Sequence, residues 1–412
     1  MLTGSASPGT LSEMKPFLRQ GTRELLGRLS EPPRLPQILL GPRQVGKTTA
    51  ITQVIAALRR KGFAAVSASA DALASPPGDW ITEHWRKADA AAKSGKPTIL
   101  AFDELQKIPG WSEIVKREFD ASQRRASSKR PRIIISGSSA LLVERGLTES
   151  LAGRFELIRF PHWSLNEEFA AFGVGWKDHV SLGGYPRLHE FLPDARRFFS
   201  YVRDSIIESV LSKDLLLLHP VDKPVLLRRL FEFSCRHPAE IVSLQKMLGQ
   251  LTDKGNVTTL SHYLDLLAKA FLIAPLQKYS PEILRIRSSS PKLIVLAPAL
   301  VAAVQDKTPA EAMADPELYG RWAENAVGAH LLRSGLEVFY WRERDLELDF
   351  IAKKGVKAVA FEVSISQRKS GGGALDRLAR RCGASKAVLI GPAGVSLDEF
   401  LRSDPSAWFD GE

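Results

Sequence analysis

A glycine-rich loop near the start of the chain has the residue types and spacing needed to hold phosphate. Residues 41–48 read GPRQVGKT, which fits the pattern G-x-x-x-x-G-K-[ST]. Glycines let successive backbone N–H groups turn toward phosphate oxygens, and the dipole of a following helix adds positive potential. We expect Lys47 to reach the β- and γ-phosphates of a nucleotide and Thr48 to bind Mg²⁺. The predicted phosphate-binding residues are Gly41, Pro42, Arg43, Gln44, Val45, Gly46, Lys47, Thr48 and Thr49.

Two adjacent acids further along the chain are suited to complete this site. Residues 97–102 are mostly apolar and lead directly into Asp103 and Glu104. A strand buried on both faces has a continuous apolar sequence, and α/β sheets place their sites at the carboxyl ends of such strands. We expect Asp103 to hold Mg²⁺ through a water molecule. Glu104 is then the general base that polarises an attacking water.

A parallel sheet has to bring the loop and the acids together. Apolar runs at 37–40, 63–68, 99–102 and 133–135 are predicted strands, and residues 49–60 and 79–94 have helical spacing. A strand lies before the loop and a helix after it, as phosphate binding requires. The alternative is a Gly-Lys-Thr turn that only caps a helix.

In combination, these segments resemble the bacterial and archaeal AAA-type ATPases whose C-terminal half is a domain of unknown function. The resemblance covers nearly the whole chain and rests on residues 41–48, 99–107, 136–139 and 150–155. It implies an α/β P-loop NTPase core, a three-layer sandwich that binds ATP. It also implies that Ser136 or Ser138 senses the γ-phosphate and that Arg154 is an arginine finger or second sensor. From the residues alone, the serines also suit a turn, and Arg154 suits an ion pair at a domain hinge.

Composition limits the class of protein. The chain has 412 residues, 44% hydrophobic and 25% charged, as in ordinary soluble globular proteins. The apolar run at 293–304 contains a proline and is too short to cross a bilayer, so no membrane segment is expected. The first ten residues lack the pattern of a secretory signal. Two cysteines without a C-x-x-C partner predict neither a zinc site nor a disulfide, which suits the cytoplasm.

The charge of the chain indicates possible partners. A net charge of +11 with a pI near 9.6 favours contact with a polyanion such as DNA. The excess of 57 basic over 46 acidic residues is moderate, and the basic stretch at 123–132 suits a solvated loop. A protein partner is the alternative to DNA. An arginine finger supplied in trans would require a homo-oligomer.

Four units are predicted along the chain: an ATPase core at 1–162, a helical lid at 163–220, a winged-helix-like domain at 221–300 and a restriction-endonuclease-like α/β domain at 301–412. In the third unit, three helical runs precede an apolar strand, as in a winged helix-turn-helix. The third run, capped by Asn256 or Thr258, offers few of the side chains that read the major groove, so a helical packing module is the alternative. We expect Arg285, Arg287 and Lys292 to be available for phosphate contacts.

The last unit resembles the PD-(D/E)-x-K nucleases in its order of helix, three strands, helix and strand. Asp349 and Glu362 match the two carboxylates that bind Mg²⁺ in those enzymes, and Glu324 matches the acid on the first helix. Ser364 occupies the lysine position, so cleavage would need a cation from Arg368 or Lys369. The pattern therefore favours an inactive or binding-only scaffold over a metal-dependent DNA nuclease.

The sequence thus predicts Mg²⁺-dependent binding and hydrolysis of ATP. This reaction would drive a conformational cycle on DNA. A nucleotide-gated protein-binding switch with slow turnover is the alternative, and a DNA nuclease is the third function considered.

Overall fold

A five-stranded parallel sheet forms the N-terminal core in a computed structural model that describes residues 17–72, 79–138, 151–216, 221–251, 256–280, 289–366 and 372–410. The strands are β1 (Gln37–Gly41), β2 (Ala64–Ser69), β3 (Thr98–Asp103), β4 (Arg132–Ser138) and β5 (Glu156–Arg159). They pair in the order β2-β3-β4-β1-β5, and every pairing is parallel. This confirms the predicted sheet. It also places β4 between β1, which leads into the loop, and β3, which ends at the acid pair.

Helices cover both faces of this sheet: α1 (Gln20–Ser30) and α2 (Lys47–Arg59) on one, α3 (Trp80–Lys93) and α4 (Trp111–Gln123) on the other. Successive residues of a strand point to opposite faces. Accordingly, Leu39 packs in the cluster that contains Leu25 of α1, whereas Leu40 packs in the cluster that contains Trp85 of α3. The predicted three-layer α/β arrangement is confirmed.

A helical region follows the sheet. It contains α5 (Leu165–Phe172), α6 (Trp176–Leu182) and α7 (Ala195–Ser200), which continues in π-type helical turns over Tyr201–Ile207 and Ser209–Leu216. A capping box starts α5: the Ser164 hydroxyl accepts from the Glu167 N–H, and the Glu167 carboxylate accepts from the Ser164 N–H. The predicted helical character of 164–215 is therefore present, with a bend around the turn at 183–187.

Three helices and a hairpin come next. They are α8 (Pro224–Arg236), α9 (Leu244–Gln250), α10 (Val257–Lys269) and the antiparallel strands β6 (Ile273–Leu276) and β7 (Lys292–Val295). The Asn256 carboxamide oxygen accepts from the Thr259 N–H at 2.7 Å and caps α10. The order of elements fits the predicted winged helix and fits a helical packing module equally well.

The C-terminal part is a mixed sheet with helices around it. The helices α11 (Pro298–Gln305), α12 (Pro309–Ala314) and α13 (Pro316–Arg333) precede β8 (Glu337–Glu343), β9 (Leu346–Lys354), β10 (Lys357–Val363), α14 (Gly372–Arg381), β11 (Lys386–Ile390) and α15 (Leu397–Arg402). The strand order is β11-β10-β9-β8, with β10 and β11 parallel and the other pairs antiparallel. The sequence of helix, three strands, helix and strand is the predicted one. Each of α11, α12 and α13 starts at a proline, whose fixed φ suits the first helical position.

Two further expectations concern the chain as a whole. Within the described segments, no helix combines the length and the apolar character that a membrane crossing requires. Cys235 and Cys382 are both buried and free, in agreement with the prediction that they form no disulfide.

Candidate active site

The phosphate-binding loop connects β1 to α2 and requires glycine at two positions. A Cβ on Gly41 would lie 1.8 Å from the carbonyl oxygen of Phe160 on the neighbouring strand segment. Gly46 has a φ of 93°, in the left-handed region that other residues avoid. Lys47 is buried, and its Nζ donates to the carbonyl oxygens of Gly41 at 2.8 Å and Pro42 at 2.7 Å. The loop is therefore closed around the lysine ammonium.

The loop and the acid pair meet at the carboxyl ends of the central strands. The Thr48 hydroxyl donates to Asp103 Oδ2 at 2.8 Å, and the Ser136 hydroxyl donates to Asp103 Oδ1. Residue 136 belongs to β4, which lies between the other two strands, so strand order produces this contact. Hydroxyl and carboxylate oxygens are the hard ligands that Mg²⁺ prefers, so the donor set fits the ion. The Ser138 side chain and Ser139 lie outside the described part of the structure.

Glu104 follows β3 with a left-handed φ of 53°. Gln106 Nε2 donates to Glu104 Oε2 at 2.5 Å and fixes the direction of the carboxylate. Burial raises the pKa of Glu104, whereas the positive charges of Arg43 and Lys47 oppose this increase. A carboxylate with a raised pKa, held beside the loop, has the properties of a general base.

Arg154 forms an ion pair with an acid of α4. Its Nε donates to Asp120 Oδ1 of α4 at 3.0 Å, and both side chains are partly exposed. Its described side-chain hydrogen bonds go to this acid and to no residue of the phosphate loop. The structure thus displays the ion pair that was the alternative interpretation of Arg154, and an arginine finger within the same chain has no contact to support it.

Contacts that the sequence did not indicate hold the middle of the loop. The Val45 carbonyl oxygen accepts from Trp163 Nε1 at 2.9 Å and from Arg19 Nη1 at 3.0 Å. Arg19 also forms a buried ion pair with Glu167 of α5 at 2.9 Å. No sequence pattern marks these residues, because Arg19 and Glu167 are 148 positions apart.

The neighbouring loop residue, Gln44, contacts the extension of α7. Its Nε2 donates to the Ser205 carbonyl oxygen at 2.8 Å, and its Oε1 accepts from the Tyr201 hydroxyl at 2.8 Å. Gln44 adopts a left-handed φ of 60°. The helical region therefore touches the loop at Gln44, the residue next to Val45.

The acids predicted for a second metal site lie together in the C-terminal sheet. The Val363 N–H donates to Asp349 Oδ2 at 2.9 Å, and the Asp349 N–H donates to Glu362 Oε2 at 3.4 Å. Lys292 of β7 inserts its ammonium among these groups, with ion pairs to Asp349 at 3.2 Å and to Glu324 of α13. We call Lys292, Glu324, Asp349 and Glu362 the lysine–carboxylate cluster.

The lysine–carboxylate cluster corrects one prediction. Lys292 is 0% exposed, so the prediction that it contacts nucleic-acid phosphates is wrong. Its strand and the helix that carries Glu324 bury it between the hairpin and the C-terminal sheet. Arg285 and Arg287, the other two residues of that prediction, lie outside the described residues.

Electrostatics in this cluster favour the lysine as its cation. Burial and the charge of Asp349 raise the pKa of Glu324 and of Glu362 to about 8. The charges of Asp349 and Glu324 raise the pKa of Lys292 despite its burial. In the described part of the chain, no group of three or more His, Cys, Asp or Glu residues is arranged to hold a metal ion. The donor set therefore does not fit the second metal site, and Arg368 and Lys369 lie outside the described residues.

The exposed face of α10 bears on nucleic-acid contact. Thr258, Ser261 and His262 are exposed there. The acid Asp265 is also exposed and pairs with Lys269 at 3.0 Å. Bidentate readers of bases such as Arg, Asn and Gln are absent from the 257–269 segment, as the sequence indicated.

Comparisons with known proteins agree with the geometry of the N-terminal part. Residues 34–169 match the family described as "AAA domain". Residues 174–311 and 319–395 match two families that are each described as a domain of unknown function (DUF8612 and DUF4143). An uncharacterized protein of Haemophilus influenzae is 24% identical over 350 residues, which cover 79% of this chain and 82% of the relative.

Solved structures give looser superpositions. CDC6P from Pyrobaculum aerophilum has a TM-score of 0.34 and 13% identity, covering 73% of this chain and 97% of its own. DnaA from Aquifex aeolicus with AMPPCP has a TM-score of 0.32 and 16% identity, covering 61% of this chain and 89% of its own. These scores carry no argument about function. The family match and the loop geometry agree that residues 34–169 resemble an AAA domain with a phosphate-binding loop, and matches to two domains of unknown function follow it along the chain.

Proposed function

We propose that this protein binds ATP with Mg²⁺ in the loop at 41–48 and hydrolyses the γ-phosphoryl group by attack of water. The observation that carries the proposal is the hydrogen bond of 2.8 Å between Thr48 and Asp103. It joins a loop hydroxyl to a carboxylate of another strand at the place where both can share one divalent ion. Bound there, Mg²⁺ would neutralise charge that develops on the phosphate oxygens.

Each remaining residue of the site has a role that suits its position. Lys47 and the loop N–H groups stabilise negative charge on the phosphates. Ser136 holds Asp103 in place through the other carboxylate oxygen. Glu104, oriented by Gln106, accepts the proton of the attacking water.

We further propose that hydrolysis drives a conformational cycle. Gln44 of the loop forms hydrogen bonds with Ser205 and Tyr201, and Val45 accepts hydrogen bonds from Trp163 and Arg19. A shift of the loop backbone would therefore move the helical region. These contacts support coupling between nucleotide state and the position of the helices. Through Glu167, the same contacts extend into α5.

DNA is proposed as the partner on which the cycle acts, supported by the net charge of +11. The alternative is a nucleotide-gated switch that binds a protein, and the absence of base-reading side chains from the face of α10 favours it. A nuclease is not proposed, because Lys292 occupies the position among the carboxylates where a metal ion would be required.

The experiment is steady-state ATP turnover by the full chain with and without duplex DNA. The variants are Lys47→Ala, Glu104→Gln and, as a control, Lys61→Ala, which changes an exposed lysine at the end of α2. Turnover that rises with DNA and is lost in the first two variants would support the DNA-directed cycle. Turnover that ignores DNA, or tight ATP binding with little turnover, would favour the switch. Full turnover by Lys47→Ala would refute the ATPase proposal.

A further inference from the structure

A cavity of about 280 Å³ lies where three parts of the chain meet. The N-terminal core contributes Leu40 and Trp163, the α10–β6 segment contributes Phe271, and α13 contributes Ala326, Ala329 and Arg333. Most of the lining side chains are apolar, and none of the lining residues is an acid. No residue of the phosphate-binding loop at 41–48 lines the cavity, and nothing in the proposed ATPase reaction uses it.

Arg333 is the charged group of α13 that faces this cavity. It bonds to His330 Nδ1 at 3.2 Å and, among the described residues, has no ion pair with a carboxylate within 4.0 Å. Burial lowers its pKa, and burial lowers the pKa of His330 further below its ordinary value, so the histidine adds no charge of its own at neutral pH. Arg333 is half-buried, and a guanidinium without a contacting carboxylate in a largely apolar wall can accept an anionic ligand.

The acids nearest to Arg333 are already bonded to other groups. Glu167 pairs with Arg19 at 2.9 Å. Glu168 accepts from the Gly184 N–H at 2.7 Å and lies 2.6 Å from His179 Nδ1. Asp404 accepts from the Ser406 N–H at 2.9 Å. These acids attract Arg333 from a distance, but none of them forms the contact pair that a guanidinium usually has.

We propose that the cavity binds a small organic carboxylate with an apolar body. The carboxylate lies on the Arg333 guanidinium, whose planar fork matches two carboxylate oxygens. The body lies against Phe271, Ala326 and Ala329. A volume of 280 Å³ holds roughly nine water-sized groups at about 30 Å³ each, which is the size of a medium-chain fatty acid. The proposal does not depend on ATP hydrolysis.

The cavity also adjoins the ATP site. Trp163 lines the cavity, and its Nε1 donates to the Val45 carbonyl oxygen of the phosphate loop. A ligand that fills the cavity therefore contacts a side chain that also holds the loop. We expect its binding to change the affinity for ATP, and reciprocity requires ATP to change the affinity for the carboxylate by the same factor.

The test uses the full chain and three probes in isothermal titration calorimetry. Octanoate has the charge and the apolar body, octanol has the body without the charge, and inorganic phosphate has charge without the body. We expect octanoate to bind at least tenfold more tightly than octanol and phosphate not to compete with it. Equal binding of octanoate and octanol, displacement of octanoate by phosphate, or no binding of octanoate at millimolar concentration would overturn the proposal.

Variants locate the binding. Arg333→Gln should lower the affinity for octanoate at least tenfold and leave that for octanol unchanged, whereas Arg321→Gln, at a partly exposed position of the same helix, should leave both unchanged. Ala329→Phe should fill the cavity and abolish binding of both probes. If Arg333→Gln does not fold, Arg333→Lys replaces it, with a smaller loss expected because lysine lacks the planar fork. If a folded Arg333 variant binds octanoate with the same affinity as the parent protein does, the proposed carboxylate site is refuted.

Discussion

Trp163 Nε1 donates a hydrogen bond of 2.9 Å to the carbonyl oxygen of Val45, the residue that precedes the second glycine of the phosphate loop. Arg19 shares this acceptor, and its guanidinium lies 4.9 Å from the centre of the Trp163 ring. The loop is therefore held from outside the AAA core strands by a residue that also lines the cavity. The conformation of the phosphate-binding loop therefore depends on the hydrogen bond that the Trp163 indole N–H donates.

Trp163→Phe should remove the hydrogen bond to Val45 and leave no large cavity in the core. The phenyl ring retains most of the packing, whereas the donor to Val45 is lost. We expect the free energy of unfolding to fall by about 0.5–1.5 kcal/mol and ATP affinity to fall several-fold. Urea unfolding and titration with a fluorescent ATP analogue measure both. Trp85→Phe is the control, because Trp85 Nε1 is buried without a hydrogen-bond partner among the described residues. Equal effects of the two changes would contradict the role of the hydrogen bond.

Gly41→Ala tests the close approach of the loop to the chain after β5. The new Cβ would lie 1.8 Å from the Phe160 carbonyl oxygen, so the backbone of one segment has to move. We expect a loss of about 1–3 kcal/mol or more in unfolding free energy, together with loss of ATP binding. Gly27→Ala in α1 is the matched control. Nothing lies within 4 Å of its Cβ, and alanine should stabilise that helix by about 0.5–1 kcal/mol. If Gly41→Ala changes neither the unfolding free energy nor ATP binding, then β1 and the segment after β5 must lie further apart than the distance of 1.8 Å from the new Cβ implies.

The sequence was sufficient to predict the sheet and the loop because their information is local. The pattern at 41–48 specifies its own backbone, and the apolar runs before Asp103 and Ser136 specify buried strands. Once the strands pair in parallel, their carboxyl ends must meet. The apolar strand predicted after the third helical run of the winged-helix-like unit starts only at Ile273, because Phe271 adopts a left-handed φ of 57° in the turn after α10.

Ion pairs between residues far apart in the chain could not be predicted from local sequence patterns. Lys292 has the sequence context of a basic residue near a hairpin, and only the packing of β7 against α13 brings its ammonium to Glu324 and Asp349. The ion pair between Arg19 and Glu167 joins segments 148 residues apart. Periodicity in one segment carries no information about which distant side chain will be its partner, so these groups had to be read from the fold.

Lys292→Met should strongly destabilise the protein. The change retains the length of the side chain but leaves the acids of the lysine–carboxylate cluster without their cation. Breaking a buried pair on one side typically costs about 3–5 kcal/mol, and adding Asp349→Asn should recover part of this loss. Urea unfolding measures the effect. Lys353→Met, which changes a partly exposed lysine of β9 lying 3.9 Å from Glu337, is the control and should change little. Stability equal to that of the parent protein would show that the cluster is not ion-paired.

The same cluster predicts a pH dependence of stability. The pKa of Glu362 is about 8 in the folded protein and near its ordinary value of 4.5 when the chain is unfolded. Between these values the folded state binds more protons, so the free energy of unfolding falls as pH rises. Glu362→Gln removes this group and should flatten the slope in urea unfolding measured across that range. Glu311→Gln is the control, because hydrogen bonds to Thr308 lower the pKa of Glu311 instead. A slope unchanged by Glu362→Gln would contradict the assignment.

Arg154 and Asp120 allow a direct choice between an arginine finger and an ion pair, because either partner can be removed. Asp120→Ala breaks the pair at 3.0 Å and keeps the guanidinium, whereas Arg154→Ala removes it. If Arg154 reaches a neighbouring subunit's ATP, only Arg154→Ala should lower kcat, by about 10³-fold or more. Mixing inactive Lys47→Ala with inactive Arg154→Ala should then restore turnover, because mixed assemblies contain some intact sites. If the residue serves only the ion pair, both single variants should leave kcat nearly unchanged, as expected for a pair exposed to solvent.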